Sequence, residues 1–323
     1  MKLRTEIDVT PWQRTIDYHS RILSIGSCFA QNIAERLAEC KFNIATSPSG
    51  ILFNPASIAR TIERFSQRRE VCADDLFQSD GRWLSYHFHS TLSAADRDEA
   101  QRQMTSAVER GAELLESADH LIVTLGTAWT YRLRSTGEVV ANCHKQPHSL
   151  FCRELLSTNE CIDELQRIAD STDPKTHIIL TLSPVRHIGE GMEDNSLSKA
   201  ILRVAIDEVV RRNERISYFP SFEIMMDDLR DYRFYGDDLV HPSQMAISYI
   251  TDKFFETALS NSAKEMMHSV LDIVRAAKHR PMNAASEQYR TFCQKQLAAI
   301  ATLENINFDE EKRHFESMLQ INL

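Results

Sequence analysis

No stretch of the chain approaches the roughly 18 consecutive apolar residues that a membrane-spanning helix needs. Residues 1–20 contain acidic side chains and lack the apolar core of a secretory signal, so a cytoplasmic protein is expected. Nor is there an excess of positive charge: 37 Lys and Arg face 46 Asp and Glu, a formal balance of −9. A general nucleic-acid binder needs a concentrated basic surface, so neither nucleic acid nor membrane is the expected partner, and a small molecule or another protein is. The cysteines at 28, 40, 72, 143, 152, 161 and 293 are odd in number and form no C-x-x-C pair. That excludes a disulfide framework and a zinc-ribbon type of site. Internal repeats, low-complexity tracts and long Gly/Ser linkers are also missing.

What is present is an ordinary globular composition, 42% hydrophobic and 26% charged, which is too apolar for a disordered chain. Short apolar runs of strand length recur at 21–25 (RILSI), 42–46 (FNIAT), 121–125 (LIVTL), 177–182 (HIILTL) and 215–219 (RISYF). Helical periodicity fills the intervals at 29–40, 55–65, 94–117, 161–169 and 197–213. Strands alternating with helices imply parallel strands joined by right-handed crossovers, hence an α/β fold with a doubly wound sheet of about five strands. Two hairpins interrupt the alternation. One lies around Ser79-Asp80-Gly81, within an insertion at about 65–118; the other runs from Trp129–Leu133 across Ser135-Thr136-Gly137 to Val139–Ala141. From about 256 to 323 only helical periodicity remains, broken at Arg280-Pro281. The expected organisation is an α/β domain over 1–255 followed by a helical extension over 256–323.

In open α/β sheets ligands bind beyond the carboxyl ends of the strands, so five segments carry the candidate chemistry. The first is Gly26-Ser27-Cys28, where a strand turns through glycine into a helix. A hydroxyl or thiol there gains anion stabilisation from the helix N-terminus. The plainer reading makes Ser27 a cap and Cys28 core. The second segment, 47–55, offers the Gly50 amide and the Asn54 side chain as donors, although Asn54 before Pro55 is also an ordinary helix start. The third offers Gly126 and Thr127, with Trp129 more at home in packing. The fourth places Arg186 and His187 where an anionic substrate group would meet them, or where both are simply solvated. The fifth, Tyr235 to Ser243, sets Asp238 three residues before His241, a spacing that lets a carboxylate orient an imidazole base.

Other polar residues are weaker signals. His87 and His89 alternate on an expected strand and would share a face, where with Ser90 they would line the pocket; Cys143, His144 and His148 are further candidate ligands. Their spacing is not that of a zinc site, so no metal is expected.

Taken together these residues resemble the GSCFA family, named for the run that stands here as Gly26-Ser27-Cys28-Phe29-Ala30. The segments Gly50–Pro55, Gly126–Trp129, Asn142-Cys143-His144 and Ser183–His187 resemble it as well, and the likeness covers about residues 20–255. That family looks like a branch of the SGNH (GDSL-type) hydrolases. The resemblance implies a flavodoxin-like three-layer sandwich, a nucleophile after the first strand, oxyanion donors after the second and third, a D-x-x-H acid–base pair at Asp238 and His241, and no cofactor. Two departures stand out. The superfamily's first block is Gly-Asp-Ser, so strict register puts Cys28 in the nucleophile's place, while a shift of one residue restores Ser27. Its third block is Gly-x-Asn-Asp, and here Ala128 occupies the asparagine position; Thr127, Asn54 or Asn142 would have to replace that donor. The implied function is a hydrolase or acyltransferase acting on an ester or other acyl linkage of a small molecule or carbohydrate through a covalent acyl-enzyme. The alternative is a non-catalytic ligand-binding protein of the same fold.

Overall fold

A computed structural model describes residues 4–320 except Ala285, with the backbone alone for Glu190. Five parallel strands form the central sheet: β1 (Arg21–Gly26), β2 (Asn43–Thr46), β5 (His120–Leu125), β9 (His177–Leu182) and β10 (Ile216–Phe219). Their spatial order is β10-β9-β5-β1-β2. Counted within the sheet this is 2-1-3-4-5, the flavodoxin-like doubly wound order, in which the chain reverses its direction of winding after β2. Every apolar run noted in the sequence is one of these strands. β5 and β9 are buried at every residue, as expected for parallel strands covered on both faces.

Alternate residues of each strand feed two separate cores. Leu23, Ile25, Leu121, Val123 and Leu180 pack beneath α2 (Pro55–Ser66), α3 (Arg97–Ser117), α4 (Thr158–Asp170) and α5 (Met192–Arg212). Ile22, Ile122 and Ile179 face the other way, toward α1 (Cys28–Glu39) and α7 (Gln244–Ala258). Between β10 and α7 lies the short α6 (Ser221–Glu223). Helix α1 buries Phe29, Ile33 and Leu37, a stripe at helical spacing that seats it on the sheet. The three layers that the resemblance implies are thus present.

The insertion carries α3 and the hairpin β3 (Phe77–Ser79) with β4 (Arg82–Leu84), turning at Asp80 and Gly81. The second hairpin is larger than the sequence suggests. β6 (Trp129–Leu133) pairs with β7 (Val139–Val140) on one side and with β8 (Phe151–Leu155) on the other, forming a three-stranded antiparallel sheet. In β8 Arg153 and Glu154 interrupt Phe151, Cys152 and Leu155, so no unbroken apolar run marks it. The helical part after the sheet comprises α8 (Asn261–Lys278), α9 (Glu287–Ala301) and α10 (Asp309–Gln320), and position 255 falls inside α7. Phe308 and Phe315 are buried in the α1/α7 core, and Lys41 pairs with Glu311 at 2.7 Å. All seven cysteines are free. Among the described residues no helix is long and apolar enough to cross a membrane.

Candidate active site

The carboxyl ends of β1, β5 and β9 open into a cavity of about 540 Å³. At its floor, β1 ends on Gly26 with φ +138, and an added Cβ would overlap the Thr124 carbonyl oxygen of the neighbouring strand. Glycine therefore lets the two backbones approach where the chain turns. Ser27 follows as the extended N-cap of α1, its N–H donating to Thr124 O at 3.0 Å. Its side chain is 1% exposed, and among the described residues its Oγ has no partner. Cys28, the first helical residue, is half-buried and lines the cavity. Successive residues at a strand-to-helix turn face apart, so the turn presents the thiol to the cavity and seals the hydroxyl beneath it. Burial raises the Cys28 thiol above its usual range; N–H donation from Phe29 and from Cys28 itself, with the Lys199 ammonium, pulls the other way.

Across the cavity stands His241. Its Nδ1 lies 2.6 Å from Asp238 Oδ2, while Asp238 Oδ1 accepts the N–H groups of Val240 at 2.9 Å and His241 at 3.0 Å. These bonds hold the Asp238 carboxyl well below its ordinary range, at about 2. With Nδ1 engaged by the carboxylate, Nε2 is the imidazole nitrogen left for the cavity. The turn itself is pinned by the Gly236 N–H on His241 O (2.8 Å) and by the Arg186 N–H on Val240 O (3.2 Å).

The segment after β2 is stitched between the two strand ends. The Leu52 N–H donates to Gly26 O at 2.9 Å, and Phe53 O accepts from both Gly126 N (2.7 Å) and Thr127 N (3.1 Å). The Gly50 N–H donates to Ser47 O at 3.1 Å, and Gly50, with φ +91, packs on His89 away from the cavity wall. The expectation that the Gly50 amide faces the substrate is therefore corrected: a tight turn engages it. The Gly126 amide is engaged as well, and what Gly126 provides is room, since an added Cβ would lie 3.0 Å from His187 Nε2.

Asn54 lines the cavity and is 6% exposed. Its Oδ1 caps α2 by accepting the Ser57 N–H at 2.8 Å, which leaves Nδ2 as the donor; no described residue accepts from it. Thr127 and Asn142 also line the cavity. The Thr127 hydroxyl is bonded with Ser198 Oγ (3.0 Å) and accepts the Trp129 N–H (3.1 Å), and Asn142 Oδ1 accepts the His144 N–H at 2.8 Å. Ala128 is fully buried, its N–H on Ser198 Oγ at 2.7 Å.

His89 reaches the cavity from coil rather than from a strand, because the Phe88 N–H turns back onto Ser85 O and the His89 N–H crosses to Ser49 O. His87 consequently does not share its face; it is half-buried beside Glu138, with Nε2 3.4 Å from that carboxylate. Among the described residues no group of three metal-ligating side chains comes together. Arg186 and His187 both line the cavity. Burial holds His187 neutral, near 4, with its ring edge-on to Phe53 at 5.6 Å.

Lys199 escaped the sequence reading. It is 2% exposed and donates to Gly126 O (2.6 Å) and Ser183 O (2.7 Å), tying together the ends of β5 and β9 beneath the site. The available signal was a lysine in the core register of α5, in line with the buried Leu202 and Ile206.

Residues 21–254 match the model of the GSCFA family, and residues 270–321 match the GSCFA domain protein, C-terminal domain. A search of curated proteins found no match. Among solved structures the chain is similar to the Clostridium thermocellum family 3 carbohydrate esterase, with 10% identity, a TM-score of 0.37, and coverage of 80% of this chain and 98% of that one. The family match spans well over half the chain, and the protein belongs to the GSCFA family.

Proposed function

We propose that this protein is an acyl hydrolase or acyltransferase that works through a thioester on Cys28, acting on an ester or related acyl linkage of a small molecule or carbohydrate. One observation carries the reading: a thiol at the N-terminus of α1 shares a cavity with His241, whose other nitrogen is bonded to Asp238. The cavity, about 540 Å³, is of the size that encloses small ligands.

In the first half-reaction His241 Nε2 takes the thiol proton and Cys28 Sγ attacks the acyl carbon, with Asp238 stabilising the imidazolium. Negative charge moves to the carbonyl oxygen. The Cys28 N–H at the helix N-terminus and Asn54 Nδ2 are the donors for it, Asn54 taking over from the residue that Ala128 replaces. The tetrahedral intermediate collapses, the imidazolium gives its proton to the departing oxygen, and the thioester remains. Water or an acceptor hydroxyl then attacks, losing its proton to His241, and Sγ leaves. Thioesters are reactive enough for either acceptor, so hydrolysis and transfer share every protein group.

The test is to incubate the protein with p-nitrophenyl acetate, quench, and map any acetyl group by peptide mass spectrometry. Acetyl on Cys28, with loss of p-nitrophenol release in Cys28→Ala and in His241→Ala, is expected. Acetylation of Ser27, or undiminished release by Cys28→Ala, overturns the assignment. A ligand-binding protein without catalysis is the second reading, favoured by Ala128 at the donor position and by burial that raises the thiol. It predicts no Cys28 adduct and no release.

A further inference from the structure

The cavity wall has an unusual charge inventory for so acidic a chain. The protein has 46 Asp and Glu, yet among the described residues no carboxylate lines the cavity; Asp238 stands behind His241, held by its ring and by two backbone N–H groups. Among the described residues the one permanently charged side chain on the wall is Arg186. Its guanidinium stacks 4.0 Å from the Tyr235 ring centroid and 5.5 Å from that of Tyr232. Among the described residues it forms no ion pair, whereas Arg153 pairs with Asp194 and Arg203 with Glu223. Asp227 and Asp231 border the same side chain in an adjoining hollow, but neither is within ion-pair distance. Arg186 Nε is buried without a partner among the described residues.

A half-buried guanidinium held flat by aromatic rings, without a carboxylate and beside an apolar wall of Phe53, Trp129 and Val140, is poised for an anionic oxygen group, to which it donates in a planar fork. The neighbouring His187 is neutral and adds no competing cation. We infer that the acyl substrate of this site carries a carboxylate or phosphate group and that Arg186 is the residue that binds it. This rests on the acyl-transfer reading only for the word acyl; the anion preference itself is a property of the cavity.

Iodoacetate and iodoacetamide have nearly the same shape and alkylate the same thiol, but only the first is an anion. The ratio of their rates at Cys28, followed by peptide mass spectrometry and divided by the same ratio for glutathione, isolates the charge preference. Because the N-terminus of α1 also favours anions, the comparison is made in wild type, Arg186→Lys and Arg186→Met, each first checked for an unchanged thermal melt. The expected outcome is a wild-type ratio well above that of glutathione, partly kept by Lys and falling about tenfold or more in Met, as for loss of a charge-assisted hydrogen bond. A wild-type ratio equal to that of glutathione overturns the inference even if no variant folds, and so does a raised ratio that Arg186→Met leaves intact.

Should Cys28 resist both reagents, the thioester mechanism fails, and the anion site is decided by calorimetry at low salt. Succinate binding lost in Arg186→Met supports a carboxylate ligand, and inorganic phosphate binding lost in the same variant supports a phosphate one. Binding of neither overturns the inference.

Discussion

Asp238 touches His241 twice: its Oδ2 meets the ring Nδ1 at 2.6 Å, and its Oδ1 accepts the same residue's N–H at 3.0 Å. One carboxylate therefore both closes the turn and aims the imidazole. The two functions separate by substitution. Asp238→Asn keeps an oxygen for the turn but loses the charge that supports an imidazolium; Asp238→Ala loses both. Both side chains are about half exposed, 51% and 52%, so the ion pair adds little to stability. Asp238→Asn should melt like the wild type while kcat for p-nitrophenyl acetate falls by roughly 10²-fold or more. Full kcat in that variant would remove the carboxylate from the mechanism.

Asn54 offers a similar separation between cap and donor. Its Oδ1 caps α2 through Ser57, and Nδ2 is the group proposed for the oxyanion. Asp caps helices about as well as Asn but has no N–H to give. Asn54→Asp should therefore unfold close to the wild type, whereas Asn54→Ala should lose about 1 kcal/mol of stability in urea melts. Both should lower kcat by roughly 10²–10³-fold. If Asp at this position retains full kcat, the donor lies elsewhere, with Thr127 and Asn142 next in line on the cavity wall.

The sheet was legible because its signals are local. Runs such as LIVTL and HIILTL are buried on both faces, so their composition alone marks them as interior parallel strands. The candidate site was legible as segments, since strand ends converge by topology and those segments carry Cys28, Asn54 and His241. Which atoms are free was not legible. Gly50 and Gly126 sit in donor-bearing segments, yet their N–H groups go to Ser47 and Phe53 through turns that only the folded backbone defines. The choice between Ser27 and Cys28 is likewise a matter of which way a β-to-α turn rotates, and neither side chain announces it. Lys199 was hidden because a lysine in a helix ordinarily reads as solvated; only the convergence of two strand-end carbonyls supplies it with acceptors.

Gly26 gives a test of the turn itself. With φ +138 and the Thr124 carbonyl where a methyl group would go, Gly26→Ala combines backbone strain with overlap against a sheet strand that cannot shift independently. Gly137 also has positive φ, +73, but an added Cβ there meets nothing within 4 Å. Gly26→Ala should cost about 3 kcal/mol or more, and Gly137→Ala only about 1 kcal/mol. Comparable urea midpoints for the two variants would show that the close approach of β1 and β5 is not what requires glycine.

Stability should fall on mild acidification, and the buried histidines set the window. His177 is 2% exposed, edge-on to Trp12 at 5.6 Å and to His120 at 5.5 Å. Burial, with the charges of His120 and Arg14, pushes its imidazole down to about 3; burial and Lys199 push His187 to about 4. Unfolded, each titrates near 6.5. Between that value and the folded one the unfolded chain binds protons that the native state refuses, so stability is complete above about pH 6.5 and declines as pH drops toward 4. Glu164 and Asp252, whose carboxyls burial raises, act against this slope, and Asp238, held near 2, contributes at still lower pH. At about pH 5 each such histidine accounts for up to about 2 kcal/mol. Urea midpoints measured from about pH 7.5 to about pH 5 should therefore decrease, and His177→Gln, which keeps a polar group near Ser217 without a titrating ring, should flatten the decline. A slope unchanged in His177→Gln would show that the proton uptake on unfolding comes from other groups.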